Sequence, residues 1–318
     1  MVHAAPLRVV FFGTPQFAVP TLDRLLASRH PVVGVVTQPD RPRGRGQKVT
    51  DAPVKARALE AGVPVLQPPT LKDPTVVAML AALGADIGVV AAYGLILTSA
   101  ILAVPRRGMV NVHASLLPRY RGAAPINRAV IAGDTETGVT IMRVVKALDA
   151  GPILATVRQP IDDTETSEDV ERALSYLGAG LLVSTLDRLA EGEVTEAPQD
   201  EAASSYAHRL TKDDGRVEWS RPATDIHNLI RGLHPWPHAY TFLHGRRIIL
   251  LRSAPSQELA PVSPGVITRT EGGALHVAAS PGTVDVLRLQ AEGKRAMSPK
   301  EFLAGQWIEA GDRFTPYP

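Results

Sequence analysis

Short runs of β-branched and aromatic residues alternate with amphipathic segments, the runs end at glycine- and proline-bearing turns, and 45% of the 318 residues are apolar. Together these features predict an α/β protein. The expected architecture is a Rossmann-like, doubly wound, mostly parallel sheet followed by a small C-terminal OB-like β-barrel. A chain of this length is comfortable as two domains.

Residues 7–12 (LRVVFF) form the first apolar β-rich run, and 21–28 (TLDRLLAS) carry apolar residues at helical spacing. Strands are expected next at 31–37, 64–67, 86–91 and 108–113, with helices at 52–61, 75–83 and 98–104. Continuous Val/Ile runs separated by helices fit a sheet buried on both faces. Residues 123–132 read as a helix with Pro125 in its first turn, 137–144 and 153–157 as strands, and Thr166 to Asp169 as the capped start of a helix reaching about Glu191. Residues 193–205 (EVTEAPQDEAASS) have linker composition, so the expected division is 1–191, a linker at 192–206, and 207–318. Beyond it, a helical segment at 224–232 stops at His234-Pro235-Trp236-Pro237. Five short runs with glycine turns then suggest the barrel, and Ser298-Pro299-Lys300-Glu301 opens a last helix.

The first turn argues against a dinucleotide enzyme. Gly13-Thr14-Pro15-Gln16-Phe17 has one glycine where the pyrophosphate fingerprint needs three, and Pro15 occupies part of the approach. Nor is there a GxxxxGK[ST] loop for ATP. The absence of cysteine rules out a disulfide scaffold, thiolate catalysis and cysteine-ligated zinc. No HxxxH or HExxH spacing supports a metal site.

Charge is uneven along the chain. Residues 1–161 hold 18 Lys and Arg against 9 Asp and Glu, residues 162–201 hold 2 against 12, and residues 202–318 hold 14 against 11. Basic ends of this kind suit a polyanionic partner. Four of the cations, Arg41, Arg43, Arg45 and Lys48, sit on a Pro/Gly-rich loop after the second strand, where phosphate contact is the functional reading and a solvated surface loop the plain one. No apolar run reaches the length of about 18 residues that a membrane span requires. The first strand begins too early for a cleavable signal, and a cytoplasmic protein is expected.

The chemistry concentrates in residues 108–121 (GMVNVHASLLPRYR). Strand alternation places Asn111 and His113 on one face and Val110 and Val112 on the other. Asn is depleted from strands, and a buried amide needs partners. A polar pair at a strand end, followed by a loop, lies where open α/β sheets keep their ligands. Asp149, on the turn Ala147-Leu148-Asp149-Ala150-Gly151, is one of few acids in this half of the chain, serving either as a turn former or as a partner for a nearby imidazole.

Asn111-Val112-His113, Ser115-Leu116-Leu117-Pro118, Arg121-Gly122 and Leu148-Asp149-x-Gly151 together resemble the folate-dependent formyltransferase family. Gly13-Thr14-Pro15, Gln38-Pro39-Asp40-Arg41-Pro42, Ala92-Tyr93-Gly94 and Pro235-Trp236-Pro237 extend the resemblance over essentially the whole chain, toward members that act on methionyl-tRNA. The resemblance implies transfer of formyl from 10-formyltetrahydrofolate, without a metal, to the α-amino group of initiator methionyl-tRNA. It makes Asn111, His113 and Asp149 catalytic, lines the folate site with Ser115, Leu116, Leu117 and Pro118, and brings Arg41, Arg43, Arg45 and Lys48 to the tRNA acceptor end. A monomer without membrane attachment is expected. The alternatives are an amino sugar nucleotide as acceptor, or a non-catalytic RNA-binding protein on the same scaffold. The sequence departs from the family pattern at Ala114, where many relatives have glycine, and at Val145-Lys146-Ala147.

Overall fold

The computed structural model describes residues 4–40, 42–43, 48–270, 273–305 and 308–318. The chain divides into two compact units. One comprises Met1–Ala123, Thr137–Gln159 and Glu171–Ala207, the other Ala124–Glu136, Pro160–Val170 and His208–Pro318.

The strands up to Ala207 are β1 (Val9–Gly13), β2 (Val32–Val36), β3 (Pro42–Arg43), β4 (Lys48–Val49), β5 (Val65–Leu66), β6 (Ile87–Ala91), β7 (Met109–His113), β8 (Arg121–Gly122), β9 (Glu136–Arg143), β10 (Ile153–Pro160) and β11 (Tyr206–Ala207). Seven of them form the main sheet, in the order β10-β9-β7-β6-β1-β2-β5. β5, β2, β1, β6 and β7 run parallel, whereas β9 pairs antiparallel with β7. Val9, Val10, Phe11 and Phe12 are all buried, as a strand covered on both faces requires.

The helices of this stretch are α1 (Val19–Leu26), α2 (Pro53–Glu60), α3 (Pro74–Ala82), α4 (Ser99–Leu102), α5 (Pro125–Ile131) and α6 (Ser167–Glu191). Asp73 caps α3 by accepting from the Thr75 N–H, and Thr98 caps α4 by accepting from Ile101. Thr166 and Asp169 cap the start of α6 reciprocally, the Thr166 N–H and hydroxyl donating to the carboxylate and the Asp169 N–H donating to the hydroxyl.

α6 determines which face of β7 is available for chemistry. Gly178 brings the helix so close to the sheet that a Cβ there would stand 2.8 Å from Val112 Cγ1 and 3.1 Å from Val139 Cγ1. The Val110/Val112 side of β7 is thereby given over to packing, and Asn111 and His113 point the other way.

In the second unit, α7 (Ala223–Gly232), β12 (Ala239–Leu243), β13 (Arg246–Ser256), β14 (Ile267–Arg269), β15 (His276–Ala278), β16 (Thr283–Ala291) and α8 (Pro299–Ala304) follow in order. The five strands form one antiparallel sheet, β12-β13-β16-β15-β14. The tail bonds to both of its edges: the Phe242 N–H donates to the Thr315 carbonyl (2.8 Å) and the Ile267 N–H to the Asp312 carbonyl (2.8 Å). Its core includes Trp219, Ile226, Ile230, Leu250, Val277, Val284, Leu289 and Phe314. The α8 capping box between Ser298 and Glu301 is present as the sequence suggests.

Two features of the division differ from the sequence expectation. Residues 192–206, read there as a linker, belong to the first unit: Ala197 and Ile153 exchange backbone hydrogen bonds, Glu196 pairs with Arg143 at 2.7 Å, and β11 adds to β8. The stretch looks like a linker because its attachments are polar and distant in sequence, leaving no apolar period to detect. Residues 124–136 and 160–170, placed by the sequence inside the first domain, group with the C-terminal chain. There the Asn127 amide and the Ser167 hydroxyl both donate to the Gly232 carbonyl, and Arg231 donates to the carbonyls of Asp162 and Glu165.

Candidate active site

His113 ends β7, where the chain turns sharply through Ala114 to Tyr120. The turn is fastened from within. Ser115 Oγ donates to the Arg119 carbonyl (2.7 Å), while the Thr140 hydroxyl donates to the Ser115 carbonyl (2.7 Å) and accepts from the Leu117 N–H (3.2 Å). Ser115 and Leu117 are buried, whereas Leu116 and Pro118 are partly exposed. Of the four residues expected to line a folate site, these last two have accessible surface, and Ser115 spends its hydroxyl on the loop.

The turn brings the Tyr120 carbonyl to 3.0 Å from His113 Nε2. A carbonyl only accepts, so in this contact Nε2 is the donor. The other ring nitrogen, Nδ1, lies 3.7 Å from Asp149 Oδ2, close for a charge and an imidazole but longer than a hydrogen bond. That oxygen is held by the Gly122 N–H at 2.8 Å. His113 and Asp149 are both largely buried, with 6% and 13% of their side chains accessible. Asn111, two residues back on the same face, is partly exposed, and its side-chain amide has no hydrogen-bond partner among the described residues. The result is an open donor beside an imidazole whose second nitrogen faces a carboxylate.

The backbone around the carboxylate is held in unusual conformations. Tyr120 (φ 61°) and Asp149 (φ 49°) both occupy the left-handed region, which costs an ordinary residue of order 1–3 kcal/mol. Gly122 has φ 117°, and a Cβ on it would stand 2.8 Å from the Ala207 carbonyl oxygen. Gly151 closes the Asp149 turn so tightly that its Cβ would be 1.9 Å from the Arg143 carbonyl oxygen, so only glycine fits.

Arg121, almost completely buried at 1% side-chain exposure, forms a two-pronged pair with Glu201 (2.9 and 2.8 Å) and donates twice to Gln199 Oε1 (3.0 and 2.8 Å). The guanidinium holds the Glu201 carboxyl below its usual range. Gln199 Nε2 donates to the carbonyls of Asp149 and Gly151, each at 2.8 Å. In the sequence Arg121 stands out only as part of a motif, and no local pattern marks Gln199, Thr140 or the Tyr120 carbonyl. The two glycines beside the aspartate turn and the buried-arginine motif were the available signals.

The predicted cationic loop is only partly described. Arg41 and Arg45 lie outside the described residues; Arg43 pairs with Lys48 in the backbone of the β3–β4 hairpin. The flanks are clamped: Lys55 pairs with Asp40 before the loop and with Asp51 after it. Asp40, with Lys55 beside it, is held below the ordinary carboxylate range. Further in, the Tyr93 carbonyl accepts from the Gln38 amide (2.7 Å) and from the Thr14 hydroxyl (3.3 Å), tying together the residues that follow β1, β2 and β6. Burial pushes the Tyr93 phenol up to about 12.

A mostly parallel sheet carries an amide and an imidazole at the end of β7 with a carboxylate facing the ring, and the chain belongs to the formyl transferase family, a class of group-transfer enzymes. The family's formyl transferase model matches residues 7–186, and its formyl transferase C-terminal domain matches residues 209–306. Among relatives, a methionyl-tRNA formyltransferase of Stutzerimonas stutzeri is 48% identical over 92% of this chain and 92% of its own. Another, of Sorangium cellulosum, is 43% identical over 96% of this chain and 98% of its own. Among solved structures, an N-formyltransferase from Helicobacter canadensis, in complex with folinic acid and dTDP-3-aminofucose, superposes with a TM-score of 0.68. It is 17% identical and covers 90% of this chain and 99% of its own, a likeness of fold. This chain is accordingly a formyl-transferring enzyme.

Proposed function

We propose that the protein transfers the formyl group of 10-formyltetrahydrofolate to the α-amino group of initiator methionyl-tRNA. Full-length relatives of that activity support the acceptor. The observation that carries the mechanism is the meeting of His113, Asp149 and an unpartnered Asn111 amide at the end of β7.

Attack of the amine on the formyl carbon forms a C–N bond and places negative charge on the formyl oxygen. The Asn111 amide, a neutral donor without a hydrogen-bond partner among the described residues, stabilises that charge. Collapse breaks the bond from the formyl carbon to the folate nitrogen. The amine must lose one proton and the departing nitrogen must gain one, so the net reaction needs a single carrier; in this reading it is His113, through Nδ1, the nitrogen that does not donate to the Tyr120 carbonyl. Asp149 orients the ring and stabilises it while it holds the proton. Leu116 and Pro118 offer apolar surface to the folate, and Arg41, Arg43, Arg45 and Lys48 meet phosphates near the acceptor end of the tRNA. The cytoplasm is the setting that goes with this reading.

The test is to incubate the protein with 10-formyltetrahydrofolate and, in parallel, charged initiator tRNA, an amino sugar nucleotide, or water alone. Formyl-methionyl-tRNA as the sole product supports the proposal. Formylated sugar, or free formate released equally fast without tRNA, overturns it.

A further inference from the structure

Asp149 sits on a strained turn, and the question is what holds it against His113. Its carboxylate is gripped by the Gly122 N–H, and its backbone by one side chain from 50 residues further along, that of Gln199. The orientation of that amide is settled by its partners. Arg121 can only donate, so the oxygen of Gln199 must face it; the carbonyls of Asp149 and Gly151 can only accept, so the nitrogen must face them. Arg121 in turn is fixed by the two-pronged Glu201 carboxylate, and its strand by pairing of β8 with β11. Both groups that grip Asp149, the Gly122 N–H and the Gln199 amide, are therefore set by the same arginine segment.

We infer that Gln199, held by Arg121, is a positioning residue for formyl transfer: it locks the turn that presents the Asp149 carboxylate to His113. The inference rests on the role proposed above for Asp149. A displacement of about 1 Å in such a group is enough to cost up to 10²-fold in rate. Among the described residues no hydrogen bond joins the Gln199 side chain to His113, so its donations reach the imidazole through the Asp149 turn.

The experiment is a double-mutant cycle. Gln199→Met keeps the length of the side chain but neither donates nor accepts; Gln199→Glu keeps the acceptor for Arg121 and loses both donations. Each is measured alone and combined with Asp149→Asn for kcat, for KM of folate and of charged tRNA, and for Tm. The expected result is a fall in kcat of about 10- to 100-fold for both single variants with both KM values kept, together with a lower Tm, because each variant leaves partners of Gln199 unpaired. In the Asp149→Asn background the same substitutions should cost little more. If Asp149→Asn lowers kcat but the Gln199 changes multiply with it, raise KM instead, or leave kcat intact, the inference is overturned while the catalytic assignment stands. If Asp149→Asn itself turns over at the unsubstituted rate, the catalytic assignment fails and the inference with it. Should Gln199→Met not fold, Gln199→Glu alone supplies the cycle.

Discussion

Asn111 and His113 owe their usefulness to parity along β7. Residues two apart share a face, and α6 packs so closely on Val112 that the other face is the only one left for polar groups. Because the Asn111 amide bonds to nothing among the described residues, replacing it should break no fold contact, while in the proposed mechanism it removes a transition-state contact. Asn111→Ala should lower kcat about 10²- to 10³-fold, roughly 2.7–4 kcal/mol, with Tm unchanged; steady-state kinetics beside a thermal melt checks it. Ser115 shows the opposite case. Its place in the motif suggests a ligand contact, and the structure gives its hydroxyl to the Arg119 carbonyl instead. A motif tells which residues recur together and leaves open whether a given side chain faces the ligand or the turn.

At the scale of elements, the main strands and helices fall within a few residues of where the hydrophobic periods place them. The strand parity, the strand-end histidine and the aspartate turn were equally legible, because each depends on local spacing. The two-residue β8 and β11 were not: they are joined by pairing between Arg121 and Tyr206, which no local period records. Gln199 was hidden for the same reason, in a stretch whose composition reads as linker. The antiparallel β9 was also beyond reach, since a buried strand carries no mark of its direction. Helix α6 makes the element-scale prediction. Gly178→Ala would push a methyl into Val112 and Val139, and overpacking of this kind costs about 1–3 kcal/mol, measurable as a shifted urea midpoint with an unchanged slope.

For the molecule as a whole, the charge asymmetry of the sequence has two fates. Part of the acidic block is consumed internally, Glu196 on Arg143 and Glu201 on Arg121. In the proposed function the cations Arg41, Arg43, Arg45 and Lys48 serve the polyanion, so tRNA affinity should fall steeply with salt. Replacing Arg41 and Arg43 together by alanine should reduce the slope of log K against log salt by about 2, as read by filter binding. Acid sensitivity is built in separately. Burial lowers the pKa of His30, His227 and His238, outweighing the Asp187 carboxylate at His30 and reinforced at His238 by His234 and Arg247. His227 is held neutral, donating from Nε2 to the Asp163 carbonyl and accepting at Nδ1 from the Ser253 hydroxyl. A lowered folded pKa gives stability that is complete above the unfolded value of about 6.5 and is lost as pH falls toward the folded value, at about 1.4 kcal/mol per pH unit for each proton. Denaturation at about pH 7.5 and about pH 5.5 should show the loss, and His227→Gln should shrink it.

The most direct test of the account is single-turnover transfer by His113→Ala, with preformed enzyme, 10-formyltetrahydrofolate and charged initiator tRNA. With the proposed proton carrier gone, the rate of formyl transfer should fall about 10²- to 10⁴-fold while tRNA binding is retained. Transfer at the rate of the unsubstituted enzyme would contradict it.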